Sequence, residues 1–121
     1  MGYRSEVVLA VNPDAYAVLT TLLARGGSFF NLFKEATTEP YDGDATVYSW
    51  DAIKWYPSYP EVEAVEDFIS RLEDEDMEES FRFVRVGEDI DDSVERGSGF
   101  PIYVKKTIEF YTCPISNLPL D

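Results

Sequence analysis

Residues 4–14 read RSEVVLAVNPD, and their first eight residues have the pattern of a buried β-strand. Apolar side chains lie on both faces of this extended segment, with Val7, Leu9 and Val11 on one face and Val8 and Ala10 on the other. Strands that are apolar on both faces are typical of the centre of a sheet. We therefore predict a central strand over residues 4–11.

The end of the same stretch predicts that a helix follows directly. Asn12 can cap a helix, Pro13 suits the first helical position, and Asp14 complements the positive end of the helix dipole. Gly26-Gly27 can end this helix near Arg25, because glycine readily adopts the left-handed conformation with which many helices end. The sequence thus predicts a helix from Asn12 to about residue 25.

Periodicity and turn signals predict the remaining elements. They are a short helix or an aromatic loop over residues 28–39, a turn over 39–44, strands over 45–56, 81–86 and 102–111, a helix over 61–73, and an acidic loop over 87–99. In residues 81–86, Arg82 and Arg85 blur the alternation, which indicates a bulge or an edge strand. A single domain over residues 1–121 follows from the length and from the 45% apolar content.

This order of elements predicts an α+β fold. We expect a mostly antiparallel sheet with two or three helices on one face, as in a ferredoxin-like or related sandwich. The predicted order, strand, helix, strand, helix, strand, strand, departs from strict ferredoxin-like connectivity. Either residues 45–56 form a hairpin or a strand pair is miscounted.

The acidic charge is concentrated in one part of the chain. Residues 61–95 hold 15 of the 24 acidic side chains and only three basic ones, a net charge of -12 out of -14. Eighteen aromatic residues, eight Tyr, eight Phe and two Trp, are spread along the chain, so a disordered acidic tail is excluded. A local excess that folding does not require indicates a basic partner or a need for solubility.

Helical spacing directs most of these acids away from the core. Val62, Val65 and Leu72 recur on one stripe of the helix over residues 61–73, so the acids between them face solvent. Tyr59, held between Pro57 and Pro60, is a candidate aromatic anchor. The predicted partner-binding residues are Tyr59, Glu61, Glu63, Glu66, Asp67, Glu73, Asp74, Glu75, Asp76, Glu88, Asp89, Asp91, Asp92 and Glu95.

The charge density of this segment is comparable to that of DNA. Duplex DNA carries one charge per about 1.7 Å, so twelve charges correspond to roughly 20 Å of duplex. A helix of about 13 residues has about the same length. The match requires residues 74–79 and 88–95 to fold beside the helix. The predicted partner is the basic surface of a nucleic-acid-binding protein.

Other classes of function remain as alternatives. The acids can form an ordinary solvated surface, and the chain can be a structural or assembly protein that associates with its own copies, for example as a homodimer. A carboxylate-based enzyme is a third class, but the chain has no His to serve as a general acid or base. Direct binding of nucleic acid is disfavoured because Lys105-Lys106 is the only adjacent basic pair.

The residue types present also bear on cofactors and compartment. Cys113 is the single cysteine and there is no His, so an internal disulfide and the usual zinc ligand sets are absent. An EF-hand starting at Asp89 fails because Val94 replaces the glycine and Phe100 the final glutamate. We therefore expect no cofactor and no metal. The apolar run Val7 to Val11 is too short to cross a membrane, and the single cysteine favours a cytoplasmic location.

Three segments resemble parts of known proteins. Residues 1–5 (MGYRS), 54–62 (KWYPSYPEV) and 83–92 (FVRVGEDIDD) are similar to segments shared by small phage-encoded proteins of unassigned function. The resemblance covers most of the chain and implies a bacteriophage or prophage origin. Small acidic phage proteins include inhibitors of host defences, among them anti-CRISPR proteins and DNA mimics. The resemblance therefore implies inhibition of a host nucleic-acid-binding protein in the host cytoplasm.

Overall fold

A computed structural model describes residues 2–41, 43–89 and 91–100, which form helices and antiparallel strands. The elements are β1 (Ser5–Val11), α1 (Pro13–Leu23), α2 (Gly27–Lys34), β2 (Thr37–Tyr41), β3 (Ala45–Ile53), α3 (Pro60–Asp74), a 3-10 turn (Glu78–Ser80), β4 (Phe81–Val86) and β5 (Ser93–Arg96). The predicted strand over residues 102–111 lies outside the described residues.

The five described strands form one sheet in the order β2-β3-β1-β4-β5, and each neighbouring pair is antiparallel. The predicted central position of β1 is confirmed, because it pairs with β3 on one side and β4 on the other. Asn12 caps α1 as predicted, since its side chain accepts a hydrogen bond from the Ala15 N–H at 3.0 Å.

One face of the sheet carries the hydrophobic core. Register pairs Leu9 with Tyr48 and with Phe83, and all three are buried. All three helices pack on this face: Leu19 of α1, Phe33 of α2 and the buried stripe of α3 belong to the same core cluster. The predicted α+β class with helices on one face is therefore confirmed.

The strand missing from the sequence prediction is β2. Residues 39–44 were expected to form a turn, but Thr37–Tyr41 pairs with β3 at the sheet edge. Its side chains are mostly exposed, so it lacks the alternation that reveals a strand. With β2 included, and with α1 and α2 counted together as the first helical connection, β1 to β4 and the helices follow the β-α-β-β-α-β order of a ferredoxin-like sandwich, to which β5 is added.

Two further predictions about strands were wrong. β4 is neither bulged nor at an edge, because it pairs in continuous register with β1 and also with β5. The irregularity lies between β1 and β3, where Ala52 has φ 50 and its N–H donates to the Glu6 carboxylate at 3.1 Å. The predicted acidic loop over residues 87–99 contains β5, a strand too short for sequence periodicity to identify.

Candidate partner-binding surface

Helix α3 presents acids to solvent because its apolar residues occupy one stripe. Pro60 stands at its start, and Glu61 and Glu63 in the first turn favour the helix electrostatically. The side chains on the core stripe are Val62, Val65, Phe68, Ile69 and Leu72, all buried. Glu63, Asp67 and Asp74 lie on the opposite side and are exposed. The predicted amphipathic helix is confirmed, with one residue added at each end.

Arg96 of β5 neutralises the flank of α3 that faces the sheet edge. Its guanidinium donates to Glu66 at 2.6 Å, to Glu73 at 2.7 and 3.1 Å, and to Ser70 at 3.0 Å. The hydrogen bonds from Arg96 hold the pKa of the Glu73 carboxyl below its usual value, and the same contacts raise the pKa of Arg96. Glu66 and Glu73 are thus committed to an internal contact that tethers β5 to α3.

One further acid of α3 has a basic neighbour on the helix. Glu75 accepts from Arg71 at 3.2 Å in an i,i+4 pair whose side chains are about half exposed, 51% and 50%. An exposed pair of this kind adds about 0.3–0.5 kcal/mol to stability. Its main effect on the surface is to cancel the positive charge of Arg71.

Acidic residues lie at the C-terminal end of α3, where they destabilise the helix. Met77 N–H donates to the Leu72 carbonyl at 2.8 Å and Asp76 N–H to the Glu73 carbonyl at 3.1 Å, which is a Schellman ending. Asp76 occupies the left-handed position of that ending with φ 60, where glycine fits best. The negative end of the helix dipole also repels carboxylates placed there.

Six acids around this end and along the outer side of α3 have no basic partner among the described residues. They are Glu63, Asp67, Asp74, Asp76, Glu78 and Glu79, here called the acidic ridge. Glu78 and Glu79 were not among the predicted partner-binding residues, although the charge count of residues 61–95 included them. Glu61 is also unpaired but lines a cavity of about 620 Å³ on another flank, beside Tyr59.

We expect Asp76→Gly to stabilise the fold. Glycine removes the left-handed strain and the unfavourable charge, which together should raise the free energy of unfolding by about 1 kcal/mol. Urea denaturation of the variant measures this gain. Asp76→Asn removes only the charge, so it should recover a smaller part of the gain. If the glycine variant is no more stable than the wild type, the strain assigned to Asp76 is absent.

The acidic loop over residues 87–92 is held by the N-terminal residues and by β4. The Tyr3 hydroxyl donates to Asp92 at 2.6 Å and accepts from the Asp89 N–H at 3.0 Å. Arg85 binds both oxygens of Asp92, at 2.7 and 3.2 Å. Glu88 accepts from the Arg4 N–H at 2.7 Å. A side chain at Gly87 would collide with Asp92 and Tyr3.

This loop and the acidic ridge lie at opposite ends of β4. The 3-10 turn that carries Glu78 and Glu79 precedes β4, and the loop follows it. A strand of six residues spans about 20 Å, which separates the two groups of acids. Residues 74–79 continue directly from α3. Of residues 88–95, which the match to DNA also requires beside the helix, those in β5 belong to the strand that Arg96 tethers to α3, whereas the loop lies at the other end of β4 from residues 74–79.

The other predicted partner-binding residues have distinct positions. Glu95 lies opposite Val84 on the sheet face away from the helices and accepts from Arg82 at 2.9 Å. Tyr59 precedes α3 and is partly buried, with its ring centroid 5.1 Å from that of Tyr56. Asp91 is exposed and has no basic partner among the described residues. The structure thus divides the predicted set into unpaired acids of the ridge, acids paired with arginines, the loop over residues 87–92, and Tyr59 and Glu61 beside a cavity.

The described residues contain no group of three or more carboxylate or thiol side chains that could hold a metal ion. None of the helices in the part of the chain that the structure describes has the length and apolarity needed to cross a bilayer. Cys113 and Lys105-Lys106 lie outside the described residues.

Comparison with known proteins found no matching family model, no matching curated protein and no matching solved structure.

Proposed function

We propose that this chain is an acidic inhibitor that occupies the nucleic-acid-binding surface of a partner protein. The observation that carries the proposal is the acidic ridge, whose acids have no basic partner among the described residues and two of which, Asp74 and Asp76, lie at the end of α3 that repels them. Residues that break a local folding rule without a structural compensation tend to serve function. A need for solubility alone would be met equally well by acids at positions that favour the fold.

The charge density of the ridge supports mimicry of one nucleic-acid strand. From Glu63 to Asp74 the helix rises about 17 Å, and the following turn extends the ridge to roughly 20 Å. Six charges over that length give about one per 3.3 Å, close to the 3.4 Å per phosphate along one strand. A surface evolved to bind one phosphate backbone would therefore meet a similar density of charge.

Long-range attraction supports the same role. The chain carries a net charge of -14, and most of it lies in the segment that contains the ridge. Such a field accelerates encounter with a basic surface, and the effect falls with ionic strength. The sequence resemblance to small phage-encoded proteins supports a specific setting, in which the partner is a host defence protein of the kind that anti-CRISPR proteins inhibit in the host cytoplasm. The proposed role involves neither a cofactor nor catalysis.

The test is competition between nucleic acid and the chain for a purified partner. Proteins captured from a bacterial lysate by the immobilised chain are identified and purified, and each is titrated with the chain at about 50 mM and about 500 mM salt. We expect at least one nucleic-acid-binding protein whose affinity for the chain falls steeply with salt. A single-stranded oligonucleotide should displace the chain from it.

A partner that binds equally well at both salt concentrations, or that oligonucleotides do not displace, would contradict the proposal. A stable homo-oligomer in sedimentation, with no nucleic-acid-binding partner, would instead support the assembly role. Sedimentation of the protein before capture measures the mass of the assembly in solution and distinguishes the two outcomes.

A further inference from the structure

An apolar groove runs along the acidic ridge on the side of α3 that faces the other helices. Its volume is about 470 Å³, and its walls include Leu22, Phe29, Ala64 and Phe68. It lies between α3 and the turn that joins α1 to α2. At Gly26 and Gly27, which form part of the opposite wall, an added side-chain carbon would meet no atom within 4 Å. These two glycines therefore place no side chain in the groove.

The groove and the ridge share one wall. Asp67 lines the groove and belongs to the ridge. Ala64, Asp67 and Phe68 are neighbours on the helix surface because they are three and four residues apart. Glu63 precedes Ala64 by one residue and is exposed on the outer side. A partner that covers the ridge therefore also covers the mouth of the groove.

The charges around the groove are asymmetric. Arg71 lines the groove but is neutralised by Glu75 at 3.2 Å. Asp67 on the α3 wall has no basic partner among the described residues, whereas Arg25 on the opposite wall has no acidic one. Basic residues of a partner should accordingly approach over α3 and not over the α1–α2 turn.

We propose that the groove receives an apolar side chain of the partner, flanked by basic residues that bind the acidic ridge. This inference rests on the proposed function. It adds an apolar contact with the partner that nucleic acid bound to the same partner would not make. Surface charges mainly set the rate and the salt dependence of association. Buried anchors in pockets contribute most of the affinity at protein interfaces. The groove supplies such a pocket beside the charges.

Two synthetic helical peptides of equal length and equal positive charge provide the probe. One carries only Arg and Ala, and the other replaces the central Ala with Leu. Titration of the protein with each peptide at low salt measures both dissociation constants. We expect the Leu peptide to bind about tenfold more tightly to the wild type, because it alone can place an anchor in the groove.

The variant Ala64→Leu fills the groove without changing any charge, and it should abolish the difference between the peptides. Ala64→Met, whose side chain is more flexible, is the second variant if Leu disturbs packing. The matched control is Ala17→Leu, which adds the same side chain to an exposed position of α1 and should preserve the difference. Thermal denaturation of each variant reports whether it is folded.

Equal binding of both peptides to the wild type would overturn the groove assignment while leaving the acidic ridge intact. The same conclusion follows if the difference persists in both Ala64 variants. Absence of salt-dependent binding by either peptide would overturn the proposed function together with the groove.

Discussion

Replacing Asp74, Glu78 and Glu79 with lysine is expected to abolish partner binding while making the protein more stable. The reversal at Asp74 places positive charge where the negative end of the α3 dipole attracts it, so the free energy of unfolding should rise by about 0.5 kcal/mol. The three reversals turn attraction into repulsion at the partner surface. At about 1 kcal/mol per reversed contact, the dissociation constant should increase at least about 100-fold.

The opposite directions of the two effects make this variant informative. If the ridge were only a solvated surface, the substitutions would raise the free energy of unfolding and would weaken no binding. Titration of the identified partner and urea denaturation measure the two quantities on the same preparation. The matched control reverses Glu35, Glu39 and Asp44, three exposed acids outside the ridge that change the net charge equally. If the control weakens binding as much as the ridge variant, net charge and not the ridge determines affinity.

Arg96→Ala is expected to lower the free energy of unfolding by about 2 kcal/mol. The substitution removes the hydrogen bonds to Glu66, Glu73 and Ser70, and bonds to charged groups contribute about 1.5–3 kcal/mol. It also leaves two carboxylates facing each other on one flank of α3. Arg96→Lys keeps the charge but loses the forked geometry, so its stability should lie between that of wild type and that of Arg96→Ala.

The pH dependence of this loss follows from Glu73. Its pKa is lowered in the folded protein from the usual 4.5, because the hydrogen bonds from Arg96 favour the ionised carboxylate. Because the pKa of Glu73 is lowered on folding, its ionised carboxylate stabilises the fold at pH values above the pKa of the unfolded chain. This contribution is lost as the pH falls through the pKa of the folded protein. The stability difference between wild type and Arg96→Ala should thus be full at pH 7 and shrink below about pH 4.5.

Urea denaturation at about pH 7 and about pH 3 measures this change. A difference that is the same at both values would mean that Arg96 stabilises the fold by packing alone. Partner binding provides a second readout, since the ridge acids make no contact with Arg96. Binding at neutral pH should therefore survive the substitution at temperatures where the variant stays folded.

The elements that the sequence predicted well are those with strong local patterns. β1 is apolar on both faces, α1 begins with Asn12 and Pro13, and α3 has a continuous buried stripe. β2 and β5 escaped prediction because they are short strands of five and four residues with no buried side chain, and they are the outermost strands among the described residues. Their positions depend on pairing with the neighbouring strands β3 and β4, which the residues of β2 and β5 do not by themselves reveal.

The candidate surface was predictable only where local helical spacing determines which side chains face solvent. Helical spacing placed Glu63 and Asp67 on the outside of α3, where the structure has them. Asp74 was expected after the helix and is its last residue. Spacing could not reveal that Arg96, from a segment expected to be loop, neutralises Glu66 and Glu73. Nor could it reveal that Arg85 and Tyr3 brace the acidic loop through Asp92.

The sequence by itself determined the fold class, the central position of residues 4–11 and the location of nearly all the excess charge. These follow from hydrophobic periodicity and composition, which act within a few residues of chain. Only the tertiary structure decided which acids are paired, that β4 lies between the acidic ridge and the loop over residues 87–92, and that a groove adjoins Asp67. Those properties depend on contacts between residues that are distant in the chain, and local spacing carries no information about them.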